Sequence, residues 1–181
     1  MAGGEVNATD ANQSTPLHLA AELDLANVAE ILLQNGADPT HLDQAGNNCL
    51  HLAARWNASA VSRVLLTESS IDPKLPNAKG KNFLHLVAFH GGENAVEQFN
   101  ILLEHDPSYP IHETDLDGNT AMYLAYSNGD TALCVALAKV GSVLAKYNNE
   151  GNGFEKHRLC FSLHSRYLVA RLVCLVWKLF E

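Results

Sequence analysis

Four stretches of the chain repeat one arrangement of polar and apolar residues. They span 15–21, 48–54, 82–88 and 120–126, and each opens with Thr or Asn before a mainly apolar run. Thr and Asn cap helices by accepting a hydrogen bond from a free backbone N–H. In the first copy Pro16 follows at the first helical position, where its missing N–H costs nothing. The pattern predicts four helices that begin 33, 34 and 38 residues apart.

A second apolar segment follows each of these helices. In the first repeat its members recur at helical spacing and predict one stripe that faces inward: Val28, Ile31, Leu32 and Leu33. Gly36 then supplies the left-handed residue that a helix C-terminus favours.

Turn residues recur in phase with the helices. Between the two helices of each repeat lie residues that tolerate positive φ, namely Asp24, Asn57, Gly91 and Gly129. Before each first helix the turns end on glycine, at Gly46, Gly80, Gly118 and Gly151. Four glycines in phase predict a repeated tight turn that joins neighbouring repeats.

A period near 33 with the core Thr-Pro-Leu-His-x-Ala at 15–20 resembles the ankyrin-repeat family. The resemblance implies an all-α solenoid of stacked helix-turn-helix repeats joined by β-turn fingers. We predict about four repeats and a partial fifth, with a helical C-terminal tail. The expected boundaries are a flexible lead-in at 1–9, repeats at 10–42, 43–76, 77–114 (extended) and 115–147, a partial repeat at 148–154, and an apolar basic tail at 155–181.

The tail has three interpretations from its residues. From Tyr167 onward it is largely apolar, but Arg171 and Lys178 interrupt it and it is too short to span a bilayer. It is a helix that caps the last repeat, an amphipathic helix on a membrane surface, or a non-native end that does not order.

Charge divides the chain at the same boundary. The net charge is −8, and hydrophobic residues make up 47% of the sequence. Residues 1–153 carry 7 bases and 18 acids, whereas 154–181 carry 5 bases and 2 acids. The acidic balance argues against nonspecific nucleic-acid binding, which needs Lys and Arg to neutralise phosphates.

The cysteines and the N-terminus indicate a cytosolic protein. Cys49, Cys134, Cys160 and Cys174 form no C-x-x-C pair, which favours reduced thiols and offers no zinc framework. The first residues have neither a basic nor an apolar signal region.

No pattern in the chain is typical of catalysis. His18, His51 and His85 share one repeat position, and the resemblance implies that each ring bonds backbone groups of the neighbouring turn. The other histidines show no ligand spacing, and no nucleophile motif or phosphate-binding loop is present. We therefore predict a protein that is not an enzyme and has no cofactor or metal.

Stacked repeats leave a concave face that is built from turn tips and the outer side of each first helix. The residues that map to this face are Glu22, Leu23, Arg55, Trp56, Phe89, His90, Ser127 and Asn128, with Gln44, Lys79, Leu116 and Asp117 from the turn tips. Trp and Arg are enriched at binding hot spots, so Arg55, Trp56 and Phe89 are the main candidates. The alternative is that Trp56 and Phe89 pack over the neighbouring repeat.

Several segments are similar to one group within the family, the endosomal ankyrin-repeat proteins that carry a FYVE zinc finger. They lie at 46–51, 65–68, 108–110, 115–118, 124–126 and 148–151. The resemblance implies an early-endosome scaffold recruited by a Rab GTPase and a phosphoinositide. Here the pattern breaks near Phe154 and no C-x-x-C framework follows, so zinc and lipid binding do not carry over and we expect a fragment or truncated form.

Three functions remain open at this stage. The first is a scaffold that binds a protein partner on its concave face, as a monomer in the cytoplasm or at endosomes. The second is a structural spacer within a larger endosomal scaffold. The third is membrane attachment through the tail.

Overall fold

The computed structural model describes residues 5–141 and 148–149. Within these ranges the chain forms eight α-helices and no strand. They are α1 (Pro16–Glu22), α2 (Ala26–Gln34), α3 (Cys49–Arg55), α4 (Ser59–Glu68), α5 (Phe83–His90), α6 (Ala95–His105), α7 (Ala121–Asn128) and α8 (Thr131–Lys139). The predicted tail, the partial fifth repeat beyond residue 149 and Gly151 lie outside the described residues.

The helices pack as four consecutive pairs. Within a pair the first helix contacts the second, and each helix also contacts its counterpart in the next pair. One continuous core results, with Leu17, Leu50, Phe83 and Met122 of the first helices all fully buried. This arrangement is the all-α solenoid that the sequence predicts.

The helix starts follow the predicted caps. The side chains of Thr15, Asn48, Asn82 and Thr120 each accept a hydrogen bond from the backbone N–H three residues later. In the first three copies the N3 histidine completes a capping box, because its Nδ1 atom accepts a hydrogen bond from the backbone N–H of the cap residue.

The same three histidines reach the next link of the chain. Because a carbonyl oxygen can only accept, Nε2 carries the proton and donates in each of these bonds. His18 donates to the carbonyl of Asn47 at 3.2 Å, and His51 donates to that of Leu75 at 2.9 Å. His85 donates to Glu113 at 3.0 Å. Each buried imidazole therefore joins the start of its own helix to the segment that precedes the next pair.

The turns inside the pairs have the positive φ that the sequence predicts. Asp24 has φ 52°, Asn57 60°, Gly91 62° and Gly129 79°. The four extra residues of the third pair are spread along it: α5, the turn at 91–94, α6 and the segment before α7 are each one residue longer than their counterparts in the second pair.

The apolar stripe of α2 does not face inward as predicted. Val28 and Ile31 are exposed, and only Leu32 and Leu33 pack against the core. Their counterparts one pair later, Val61 and Val64 in α4, are buried. α2 packs on one side of α4, whereas no described helix packs on the corresponding side of α2. The predicted apolar stripe is therefore present, but the prediction that it is buried is wrong. The first pair therefore presents an open apolar end.

We expect the open end to make equivalent leucines differ in their contribution to stability. Leu19 in α1 is 55% exposed and Leu52 at the same register of α3 is 3% exposed. Leu52→Ala should lower the free energy of unfolding by about 2–5 kcal/mol through lost burial and a cavity. Leu19→Ala should change it by less than about 1 kcal/mol. Urea unfolding followed by circular dichroism measures both, and equal losses would contradict the assignment of the open end.

The histidine bonds lead us to expect loss of stability in mild acid. Burial lowers the pKa values of His18, His51 and His85, while their bonds to backbone carbonyls oppose the shift. The unfolded chain binds protons near its ordinary histidine pKa, and the folded chain does so only at lower pH. The stabilisation is thus complete above about pH 6.5 and declines as the pH falls through the folded values.

The measurement is urea unfolding at about pH 7.5 and about pH 5.5, a window in which histidine is the titrating side chain. His51→Gln is the control, since the amide can donate to the Leu75 carbonyl without titrating. This variant should show a smaller difference between the two pH values. An unfolding midpoint that is independent of pH in the parent chain would contradict the expectation.

Candidate functional site

The turns before the first helices share one local structure. Asp10, Asp43, Asn77 and Asp115 each begin a turn, and one side-chain oxygen of each accepts backbone N–H bonds from the residues two and four positions later. Asx side chains stabilise such turns by this geometry. At Gly80, which has φ 69°, an added Cβ would lie 2.7 Å from the Leu116 side chain, so the close stacking of turns requires glycine there.

Each turn is also bonded to the next. The backbone N–H of Gln44 donates to the carbonyl of Asn12, and the amide of Asn77 donates to the Asn47 side chain. Farther along, the N–H of Leu116 donates to Lys79, and that of Asn149 donates to Asp117. The turn tips, among them the candidates Gln44, Lys79, Leu116 and Asp117, therefore stand in one bonded row.

The ends of the first helices carry the other predicted candidates. Leu23, Arg55, Trp56, Phe89, His90 and Asn128 are exposed, while Glu22 and Ser127 are partly buried. All twelve predicted surface residues thus have solvent access.

Four of these residues form two contacting pairs on adjacent helices, which we call the aromatic cluster: Arg55, Trp56, Phe89 and His90. The Arg55 guanidinium lies 5.9 Å from the Trp56 ring centroid. The Phe89 and His90 rings meet edge to face with centroids 5.0 Å apart. Trp56 is 54% exposed and Phe89 49% exposed, so about half of each side chain remains open to solvent. The cluster spans α3 and α5, which pack against each other.

Lys81 is a buried residue that contacts the cluster through Phe89, and it was not among the predicted site residues. Its ammonium lies 5.2 Å from the Phe89 ring centroid. It also donates to Oδ2 of Asp115, and both side chains of this ion pair are buried. The signal was present in the sequence, because Lys81 occupies the register held by Asn47 and Asn119 in neighbouring repeats.

Burial and nearby charges shift the pKa values of two side chains at the cluster, Asp115 and His90. Burial raises the pKa of Asp115, but hydrogen bonds from Lys81 and Asn119 outweigh it and hold the pKa below the usual value. Burial lowers the pKa of His90, and the positive charges of Arg55 and Lys81 lower it further. His90 is therefore neutral at pH 7.

The described residues contain no group of histidine, cysteine and acidic side chains that could hold a metal ion. Cys49 and Cys134 are buried free thiols. Burial raises the pKa of Cys134 to about 12, and it raises that of Cys49 as well. Thiols with raised pKa values are poor nucleophiles at pH 7. Within the described ranges no helix has both the length and the apolar character needed to cross a membrane.

Comparisons with known proteins identify the repeat. Residues 1–77 match the family model for ankyrin repeats (3 copies). Rabankyrin-5 of Homo sapiens is 42% identical over 89 residues, which cover 49% of this chain and 8% of that protein. Rabankyrin-5 of Mus musculus is 40% identical over the same shares. NF-kappa-B inhibitor alpha of Homo sapiens is 41% identical over 91 residues, which are 47% of this chain and 28% of that protein.

The matched segment is thus a small part of each relative. The chain spans less than a tenth of the length of the Rabankyrin-5 proteins.

We expect the buried ion pair to be needed for the fold that positions Phe89. Lys81→Met should lower the free energy of unfolding by about 3–5 kcal/mol, because it leaves the Asp115 carboxylate buried without its cation. The double variant Lys81→Met/Asp115→Asn removes that charge and should recover part of the loss. Urea unfolding of the two variants and the parent chain measures the difference. A double variant as unstable as Lys81→Met would contradict the role assigned to the pair.

Proposed function

We propose that the chain, which matches ankyrin repeats over residues 1–77, is a non-catalytic module that binds a protein partner on its concave face. Ankyrin repeats are protein-interaction domains. One relative, NF-kappa-B inhibitor alpha, is by its name an inhibitor of another protein. In the described residues the buried thiols and histidines are engaged in packing and hydrogen bonds rather than arranged around a substrate pocket.

The observation that carries the proposal is the exposure of Trp56, which lies against Arg55, and of Phe89 at the end of the next first helix. A monomeric protein gains stability by burying an aromatic ring, so a half-exposed pair beside an arginine is a feature of binding surfaces. Residues of these types dominate binding energy when a partner removes them from water. The alternative, packing over the neighbouring repeat, accounts for the buried half of each ring and leaves the exposed half without a role.

The cellular setting that we propose is endosomal trafficking. Its support is the similarity to Rabankyrin-5 over 89 residues, which is high enough to indicate common ancestry of this segment. The chain would then act as a cytoplasmic, endosome-associated scaffold, and a Rab GTPase or another trafficking protein is the partner to test first. A spacer segment with no partner of its own is the competing function, and the experiment below separates the two.

We expect a partner captured by the full chain to depend on the aromatic cluster. Tagged residues 1–181 are used to capture proteins from a cell extract, and bound proteins are identified by mass spectrometry. Purified candidates, including Rab GTPases loaded with GDP or a GTP analogue, are then titrated by calorimetry. Trp56→Ala and Phe89→Ala should each weaken a genuine partner by at least about tenfold, which corresponds to 1.4 kcal/mol.

Val140→Ala is the matched control, because Val140 is also an exposed large hydrophobic residue but lies at the end of α8. It should leave the affinity unchanged, and thermal unfolding should show that all three variants remain folded. If a purified partner binds Trp56→Ala and Phe89→Ala as tightly as the parent chain, the concave-face site is refuted. If no specific partner is found, the spacer function replaces it.

A further inference from the structure

We infer that the aromatic cluster selects an acidic segment of the partner, in which a carboxylate meets Arg55 and an apolar side chain lies against Trp56 and Phe89. This inference rests on the proposed function and specifies the chemistry of the partner at that site. Four observations carry it: the state of Arg55, the positive charge around His90, the exposed rings, and the charge at the neighbouring helix end.

Arg55 is a cation without an ionic partner among the described residues. Arg63, Lys74 and Lys81 pair with Glu104, Asp106 and Asp115 respectively, and Arg55 enters no such ion pair. Lys79 and Lys139 also lie outside these ion pairs, but of the three cations only Arg55 lies against an exposed aromatic ring. A guanidinium offers a planar fork of donors that fits a carboxylate with two hydrogen bonds. The Arg55 guanidinium is thus free to bind a carboxylate from a partner, although the protein as a whole is acidic.

Two cations lie at the cluster, and one of them is already paired. The pKa of His90 is lowered first by burial and then by the charges of both Arg55 and Lys81, which shows that both cations lie within electrostatic reach of one ring. The charge of Lys81 is balanced by Asp115 beneath the surface. Arg55 is therefore the cation of the cluster that remains to attract an approaching anion and to oppose a basic segment.

The exposed rings supply the apolar part of the recognition. One contact of the Phe89 ring is with the Lys81 ammonium, and another is with the His90 ring, which lies nearly perpendicular to it. About half of the side-chain surface of Phe89 and of Trp56 remains available. Burying this area beside a pairing charge combines hydrophobic and electrostatic gain at one place, as at hot spots of known interfaces.

The neighbouring helix end limits where the carboxylate can lie. Glu22 holds the position in α1 that Arg55 holds in α3, one pair earlier. A partner carboxylate placed on that pair would meet a like charge, whereas one placed on α3 meets Arg55. The alternation of Glu22 and Arg55 therefore sets the register of the segment on the face.

The test begins with a displayed library of random peptides of about 12 residues, which extend to about 40 Å and can cross several helix pairs. The library is selected on residues 1–181, and enriched peptides are synthesised and titrated by calorimetry. We expect them to be net acidic with at least one large apolar residue, and to bind more weakly at high salt. Their affinity for Arg55→Glu should fall by at least about tenfold.

Arg63→Glu is the matched control, since Arg63 is also an exposed arginine but lies on α4 in a pair with Glu104. It should leave peptide affinity within about twofold. Replacement of the essential peptide acid by Lys should restore binding to Arg55→Glu through the reversed pair. Thermal unfolding of Arg55→Glu should match that of the parent chain, because Arg55 is exposed and has no internal ion pair.

The possible contradictions are distinct. Enriched peptides that are neutral or basic, yet are lost on Trp56→Ala, overturn the acidic specificity and leave the proposed binding face intact. Peptides that bind Trp56→Ala, Phe89→Ala and Arg55→Glu as well as the parent chain overturn both. A selection that enriches no peptide above background overturns the inference.

Discussion

The neutral imidazole that closes each of the first three helix starts is the constraint on which the rest of the structure depends. Its Nδ1 atom accepts from the cap residue while Nε2 donates to a carbonyl 24–29 residues later. One ring thereby fixes where a helix begins and where the next turn stands relative to it. In α7 Tyr123 takes this position, and the cap there is made by Thr120 alone. The row of turns and the ends of the first helices, including Trp56 and Phe89, follow from that spacing.

Local chemistry explains why much of the fold could be predicted from the sequence. Thr15 and Asn48 cap their helices and Asp24 adopts positive φ because these outcomes are decided within a few residues of chain. Burial depends instead on what lies alongside. Ile31 and Val64 occupy the same helical register, yet only Val64 has a helix pair packed before it. The periodicity of the sequence identified the apolar face of α2. It could not show whether another helix pair packs against that face.

The candidate site shows the same division. The positions of Arg55, Trp56, Phe89 and His90 at helix ends follow from the repeat, so their solvent access was predictable. The support from Lys81 was harder to predict, because its partner Asp115 is 34 residues away and belongs to the next turn. A lysine in place of the asparagine found at this register was the available signal. Reading it requires a comparison between repeats rather than along one helix.

The bonds that tie each turn to the next have a thermodynamic consequence for association. Backbone and side-chain hydrogen bonds link successive turns from Asn12 through to Asn149. A surface held by these bonds loses little conformational entropy when a ligand binds to it. The ordering cost of complex formation then falls almost entirely on the incoming chain. A segment that is already extended in its free state therefore has an advantage over one that must first unfold.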